Sequence, residues 1–256
     1  MEFSFPKKVE QDKICSFLSV IDFRIQTQSK IIEELELLKS ITSTKIFTQK
    51  LKLKDNSGNT YPDWQTKILG EIGQTYNGLT GKTKEDFGVG KPYIQYKQIF
   101  DQSKIDISRC ELVTIHNNET QPKVKKGDIF FTISSETPDE IGMSSVLLEE
   151  VEEVYLNSFC FGYRPNSEEI LLPSFARYLF RSDILRNEII KLAQGSTRYN
   201  MSKIGLMKLK IKLPSQAEQF QIGSFLTALD NKISIEQNLL EKLKKQKQYL
   251  LSNLFI

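Results

Sequence analysis

A single histidine, His116, leaves these 256 residues without the means to build a histidine metal cluster, and it lies in a polar His-Asn-Asn stretch. Ser-His-Asp or Cys-His chemistry would have to use that one residue, with nothing in the pattern to place it. Three cysteines, at 15, 110 and 160, form no close pair. An odd, widely spaced set implies reduced, intracellular thiols and neither a disulfide framework nor a zinc site. No Pro-Pro occurs, so the Asn/Asp-Pro-Pro-aromatic loop of an adenine methyltransferase is missing. No Glu stands two residues before a Lys, so the usual half of a metal-dependent nuclease motif is missing too. Gly78-Leu79-Thr80-Gly81-Lys82-Thr83 contains a GKT, but a Walker loop needs glycine at position 76, which is Tyr. No apolar run approaches the ~20 residues of a membrane span, and Met1–Gln11 lacks the apolar core of a secretory signal. These absences predict a cytoplasmic, non-catalytic chain that holds no cofactor and no metal of its own.

Net charge is only +3, yet its distribution is uneven. Residues 189–217 carry Lys191, Arg198, Lys203, Lys208, Lys210 and Lys212 without one acid, and Lys45, Lys50, Lys52 and Lys54 follow one another further upstream. Glu136, Asp139, Glu140, Glu149, Glu150, Glu152 and Glu153 form an acidic strip between them. A basic face suits a polyanion, while ordinary solvated surface explains the same pattern equally well.

What is present is a repeat. Residues 5–47 recur without a gap as residues 213–255, at a constant offset of 208. The offset pairs Pro6 with Pro214, Glu10-Gln11 with Glu218-Gln219, Ser16-Phe17-Leu18 with Ser224-Phe225-Leu226, and Asp22 with Asp230. Matching register over that length marks a repeated structural element. Heptad spacing through Ile14, Ile21 and Leu35, with Leu38 on the second line, and through Ile222, Leu229, Leu243 and Leu250 predicts two long helices. They pair as an antiparallel coiled coil, each roughly 60–70 Å long. Gln28 and Glu236 interrupt the seam at matching positions, a device that fixes register. Phe3, Phe5 and Leu254-Phe255-Ile256 gather apolar residues at the end away from the middle segment, where a partner is expected.

Between the helices, residues 55–212 alternate short apolar runs with turn signals and predict a mixed α/β unit. Candidate strands are 128–134, 145–148, 154–163 and 208–213; one helix is expected over 174–193. The resulting fold class is α+β, divided into helix 1–54, domain 55–212 and helix 213–256.

Three stretches carry a family resemblance. They are Tyr61-Pro62-Asp63-Trp64 with Leu69-Gly70-Glu71-Ile72; Lys126-Gly127-Asp128-Ile129-Phe130-Phe131-Thr132 with Ser134–Pro138; and Gly195–Ser202 followed by Leu209–Pro214 and Glu218-Gln219. In this order, flanked by the helical repeat, they resemble the specificity (S) subunit of type I restriction–modification systems. The resemblance implies a target recognition domain that reads one half-site of double-stranded DNA. It implies repeat helices that act as a spacer and dock methyltransferase (modification) subunits, with a restriction subunit as a further partner. It assigns S-adenosylmethionine, ATP and Mg²⁺ to those partner subunits. Members usually order domain–helix–domain–helix; this chain reads helix–domain–helix, a half-length form for which a homodimer would restore two readers. Competing readings are a coiled-coil interaction protein and a regulator that sequesters methyltransferase subunits.

Residue types suited to DNA contact lie on expected loops. They are Tyr76, Asn77, Lys82 and Lys84 in the glycine-rich stretch; Tyr93, Gln95 and Lys97, which share a face if 93–97 is a strand; Ser134, Ser135 and Thr137; and Arg198, Tyr199, Asn200 and Lys203. Tyr93 and Tyr199 fit a core role as well, and Arg198 fits helix capping.

Overall fold

The computed structural model describes residues 6–55 and 57–254. Phe3, Phe5, Phe255 and Ile256 lie outside the described residues, as does the side chain of Leu254. The chain divides into a helical unit, residues 1–42 with 226–256, and a compact unit, residues 43–225. No helix among the described residues is long and apolar enough to cross a membrane.

The helical unit contains most of α1 (Lys8–Phe47) and of α7 (Gln216–Leu254). The helices pair antiparallel through Gln28 with Glu236, Lys39 with Asp230, and Asp22 with Lys247. Ile21, Gln28, Ile32, Ile233, Glu236 and Leu243 are buried along the seam. Leu38 does not join it. Its side chain is half exposed, and Lys39 takes the inward position, because the alternating four- and three-residue steps from Ile32 and Leu35 arrive at 39. Nor does α1 continue to residue 54. Gln49 adopts a left-handed conformation (φ 57°), and the Leu51 N–H returns to the Lys45 carbonyl, closing the helix without the glycine that usually marks such an end.

Among its described residues the compact unit contains twelve strands. These are β1 (Gln65–Ile68), β2 (Gly73–Asn77), β3 (Phe87–Ile94), β4 (Glu111–Val113), β5 (Ile129–Thr132), β6 (Ser134–Ser135), β7 (Ser144–Val146), β8 (Tyr155–Leu156), β9 (Cys160–Pro165), β10 (Ala193–Gln194), β11 (Tyr199–Met201) and β12 (Lys210–Leu213). Short helices α2 (Leu69–Ile72), α3 (Tyr96–Asp101), α4 (Pro173–Leu179), α5 (Asp183–Ile190) and α6 (Lys203–Met207) lie among them. The central sheet runs β2-β9-β5-β7, all antiparallel.

Ile129-Phe130-Phe131-Thr132 is buried on both faces, so the run reads as continuous apolar sequence rather than alternation. Phe131 stacks on Phe161 at 5.4 Å and meets Phe180 edge-on at 5.2 Å on one face. Phe130 packs on the other with Ile94, Ile99, Leu147 and Leu156. Each such ring contributes about 1.5–3 kcal/mol of burial. Trp64 of the Tyr-Pro-Asp-Trp stretch packs edge-on against Phe47 and Phe175, at 6.3 and 6.1 Å, and those two rings meet each other at 5.8 Å.

The single helix expected over 174–193 is two helices, α4 and α5, broken at Phe180–Ser182. Arg181 holds the break: its guanidinium donates to the carbonyls of Ser144, Ile99, Phe100 and Gln102 at 2.7–2.9 Å. Arg186 likewise donates to the carbonyls of Gly142, Asp139 and Ile141. Of the three thiols, Cys15 is exposed on α1, Cys110 is half-buried and Cys160 is buried in the central sheet.

Candidate nucleic-acid interface

One end of the central sheet gathers residues from distant parts of the chain. Antiparallel register places Asn77, at the end of β2, opposite Phe161 near the start of β9, and Cys160 opposite Thr132, the last residue of β5. Beyond Thr132 the chain enters β6, which pairs with β11: Tyr199 lies opposite Ser135 and Asn200 opposite Ser134. From β11 the chain turns into α6, where the Ser202 hydroxyl accepts the Gly205 N–H as N-cap and presents Lys203. Lys203 reaches back to the side-chain oxygen of Asn77 and lies 5.3 Å from the centre of the Phe161 ring. Burial holds its ammonium below the usual lysine range. The Tyr96 hydroxyl donates to the Ser134 carbonyl at 2.7 Å, which brings the start of α3 to the same place.

Three of the four sequence-predicted segments therefore converge: Asn77, residues 134–137, and residues 198–203. Arg198 and Asn200 are exposed there, Tyr199 is half-buried, and Ser134 and Ser135 are buried. The Thr137 hydroxyl donates to Glu140 at 2.9 Å.

The remaining predicted residues are placed differently. Tyr76 is a structural residue: its hydroxyl donates to Asp128 at 2.5 Å, and its ring lies where a Cβ on Gly162 would stand. Burial, then the neighbouring Asp128 charge, pushes its phenol well above the ordinary tyrosine range. Lys82, the lysine of the GKT, is turned inward and pairs with Glu119, and it donates to the Thr114 carbonyl at 2.6 Å. Its side chain is 4 % exposed, which leaves no ammonium for a phosphate. Tyr93 is buried and donates to Glu111 at 2.9 Å; burial, then that bond, pushes its hydroxyl up to about 12. Tyr93, Gln95 and Lys97 do not share a strand face, because β3 ends at Ile94 and α3 begins at Tyr96. Gln95 and Lys97 instead line a groove with Gln98, Asp101, Gln102 and Arg109. Lys84 is exposed on a short 3₁₀ turn.

Two exposed or groove-lining residues have no place in the sequence reading: Phe159 beside Ile133, and Arg109 in the groove with Gln95 and Lys97. Phe159 is 59 % exposed on the turn between β8 and β9, where the Asn157 side chain accepts its N–H and Ile133 donates to its carbonyl. The Asn-Ser pair before it is the turn signal that would have found it. Arg109 carries no comparable signal, since only the fold brings it beside Lys97.

Carboxylates tie together the segments that carry Lys82, Lys91 and Lys123. Hydrogen bonds from Lys82, then Gln121 and the His116 N–H, hold the Glu119 carboxyl at about 2; Lys123 and Lys91 hold Glu153 at about 2. Both values lie below the ordinary 4.5. Their stabilisation is complete above that value and is lost as pH falls towards about 2. The urea midpoint is expected to fall as pH drops from about 5 to about 2.5, and Glu119→Gln should flatten that dependence. A slope unchanged by Glu119→Gln would assign the acid sensitivity elsewhere.

Comparison with known proteins gives the arrangement its relatives. Residues 61–245 match the family model described as the type I restriction modification DNA specificity domain. The type I restriction enzyme MjaVIII specificity subunit of Methanocaldococcus jannaschii is 24% identical over 98% of this chain and 60% of its own length. The StySPI specificity subunit of Salmonella potsdam is 24% identical over 68% of this chain and 38% of its own. Among solved structures, the HsdS subunit from Thermoanaerobacter tengcongensis superposes with a TM-score of 0.60 at 17% identity, covering 95% of this chain and 56% of that one. The S subunit from M. genitalium gives 0.57 at 20% identity, covering 98% and 62%. The chain thus spans about three fifths or less of these relatives. With the family model covering most of its residues, the chain belongs to the type I restriction modification DNA specificity domain family.

Proposed function

We propose that this chain is a sequence-reading DNA subunit. Its compact unit contacts one half-site through the sheet end formed by Asn77, residues 134–137 and residues 198–203. The convergence of three separated segments on one surface, with Arg198 and Asn200 exposed and Lys203 beside Asn77, carries the reading. Arg198 supplies a fixed cation suited to phosphate or guanine, and Asn200 an amide suited to adenine. In this reading the chain works in the cytoplasm without chemistry of its own. Its helices dock methyltransferase subunits, with a restriction subunit as a further partner, and S-adenosylmethionine, ATP and Mg²⁺ belong to those partners. A homodimer would present two readers, and two-fold symmetry would then be copied in an interrupted palindromic target.

The test is selection from a random duplex pool, followed by titration of the enriched sequence against salt, with the mass of the complex measured in the same series. Affinity is expected to fall steeply with salt. Arg198→Ala is expected to weaken binding by about 1–3 kcal/mol while helical content stays unchanged. Absence of any enriched sequence, or salt-independent binding, would overturn the proposal, and an unchanged Arg198→Ala affinity would remove that residue from the interface.

A further inference from the structure

The lysine–aspartate pairs and the buried polar contact between α1 and α7 obey the repeat, whereas the exposed Glu36–Gln237 hydrogen bond does not. Shifting both partners of Lys39–Asp230 by 208 residues gives Lys247–Asp22, so the two interhelical ion pairs are copies of each other. Gln28 and Glu236 are themselves equivalent, so their contact maps onto itself and marks a pseudo-two-fold axis across the seam. A pairing of α1 with another α1, or of α7 with another α7, would keep the same apolar layers and the same lysine–aspartate pairs. The inward positions carry like residues in both copies: Ile25 and Ile233, Leu35 and Leu243, Lys39 and Lys247. Arg24 and Lys232, one turn before the axis, also carry the same sign. Among the buried seam positions of the described residues charge differs only at the axis, where one helix has Gln and the other Glu; at the exposed rim Glu36, which accepts from Gln237 at 3.2 Å, stands where the other copy has Lys244.

We propose that the Gln28–Glu236 contact is the selectivity element of this coiled coil, directing an α1-type helix to an α7-type helix and refusing α7 to α7 between two copies of the chain. The Gln28 amide donates to the Glu236 carboxylate at 2.6 Å and to its backbone carbonyl at 3.1 Å, both at buried positions. Two α7 helices brought together about this axis would face one Glu236 with another; Lys232 of each helix pairs with its own Glu236, so the cost lies in setting two carboxylates where one carboxylate now accepts from an amide. Two α1 helices would face Gln28 with Gln28, which removes the charge-assisted bond without adding repulsion. A second copy's α7 satisfies α1 as well as the chain's own, so the rule governs exchange between copies as much as folding within one.

The test uses full-length chains. Gln28→Glu places two carboxylates on the axis and is expected to lower the thermal midpoint. Gln28→Glu with Glu236→Gln restores the pair in reverse and should return the wild-type midpoint. Differently tagged Gln28→Glu and Glu236→Gln chains, unfolded and refolded together, are expected to form mixed complexes in an excess on the order of tenfold over like complexes. A Gln28→Glu chain that melts like wild type, a reversed pair that fails to restore the midpoint, or mixing no better than chance would each overturn the proposal.

Discussion

Asp128→Asn is expected to cost the compact unit about 3 kcal/mol, because it removes a buried carboxylate that accepts several hydrogen bonds, two of them from the Arg164 guanidinium, and leaves that partly exposed cation without its partner. The Asp128 side chain is 1 % exposed. It accepts from Arg164 Nε at 2.7 Å and Nη2 at 2.6 Å, from the Tyr76 hydroxyl at 2.5 Å and from the Lys125 N–H at 2.8 Å. Arg164 also lies over the Tyr76 ring at 4.9 Å, so one carboxylate orients a cation, a phenol and the turn entering β5. The asparagine keeps the shape but turns one acceptor into a donor that faces a guanidinium. Tyr76→Phe removes only one hydrogen bond and should cost about 1 kcal/mol. Urea unfolding of the two variants decides: an Asp128→Asn effect no larger than that of Tyr76→Phe would contradict the assigned role.

Arg181→Ala is the second large effect, expected at about 3 kcal/mol, since buried acceptors left without a donor cost roughly 1–3 kcal/mol each and local rearrangement recovers some of that. Its guanidinium serves the carbonyls of Ile99, Phe100 and Gln102 at the end of α3 and that of Ser144 at the start of β7. Burial, then Arg186 and Arg177 nearby, hold its pKa down at about 10, a sign of how little solvent helps the charge. Arg181→Lys should fall between wild type and alanine, because an ammonium has three donors and lacks the planar fork that reaches two elements together. Equal urea midpoints for the lysine variant and wild type would show that charge alone suffices.

Both residues illustrate which parts of the molecule were legible beforehand. The long helices could be read from the repeat, because seam burial depends on spacing that a sequence displays directly. Leu38 has the more hydrophobic side chain, yet step length brings position 39 to the seam, where an ion pair with Asp230 holds the lysine inward. The run Ile129–Thr132 announced a buried strand, yet nothing local announced that Phe180–Ser182 would break a helix. That break is sustained by carbonyls as distant in sequence as Ile99 and Ser144.

The candidate interface was half legible. Exposed, flexible side chains such as Arg198 and Asn200 could be guessed from a polar, glycine-led stretch. Whether a lysine is free depends on what the fold sets beside it, and for Lys82 that is Glu119, thirty-seven residues away. Strand pairing is equally non-local: β6 meets β11 across more than sixty residues, and no periodicity reports it.

The placement of the thiols has a practical consequence. Cys160 is enclosed by the central sheet, and burial pushes its thiol far above the ordinary range; burial, then Asp106, pushes the half-buried Cys110 up to about 11. Alkylation needs an accessible thiolate, so a maleimide dye should settle on Cys15 while the other two wait for the compact unit to open. The native chain thus offers a labelling handle on one helix and, in Cys160, a slow chemical clock for the opening of its own core.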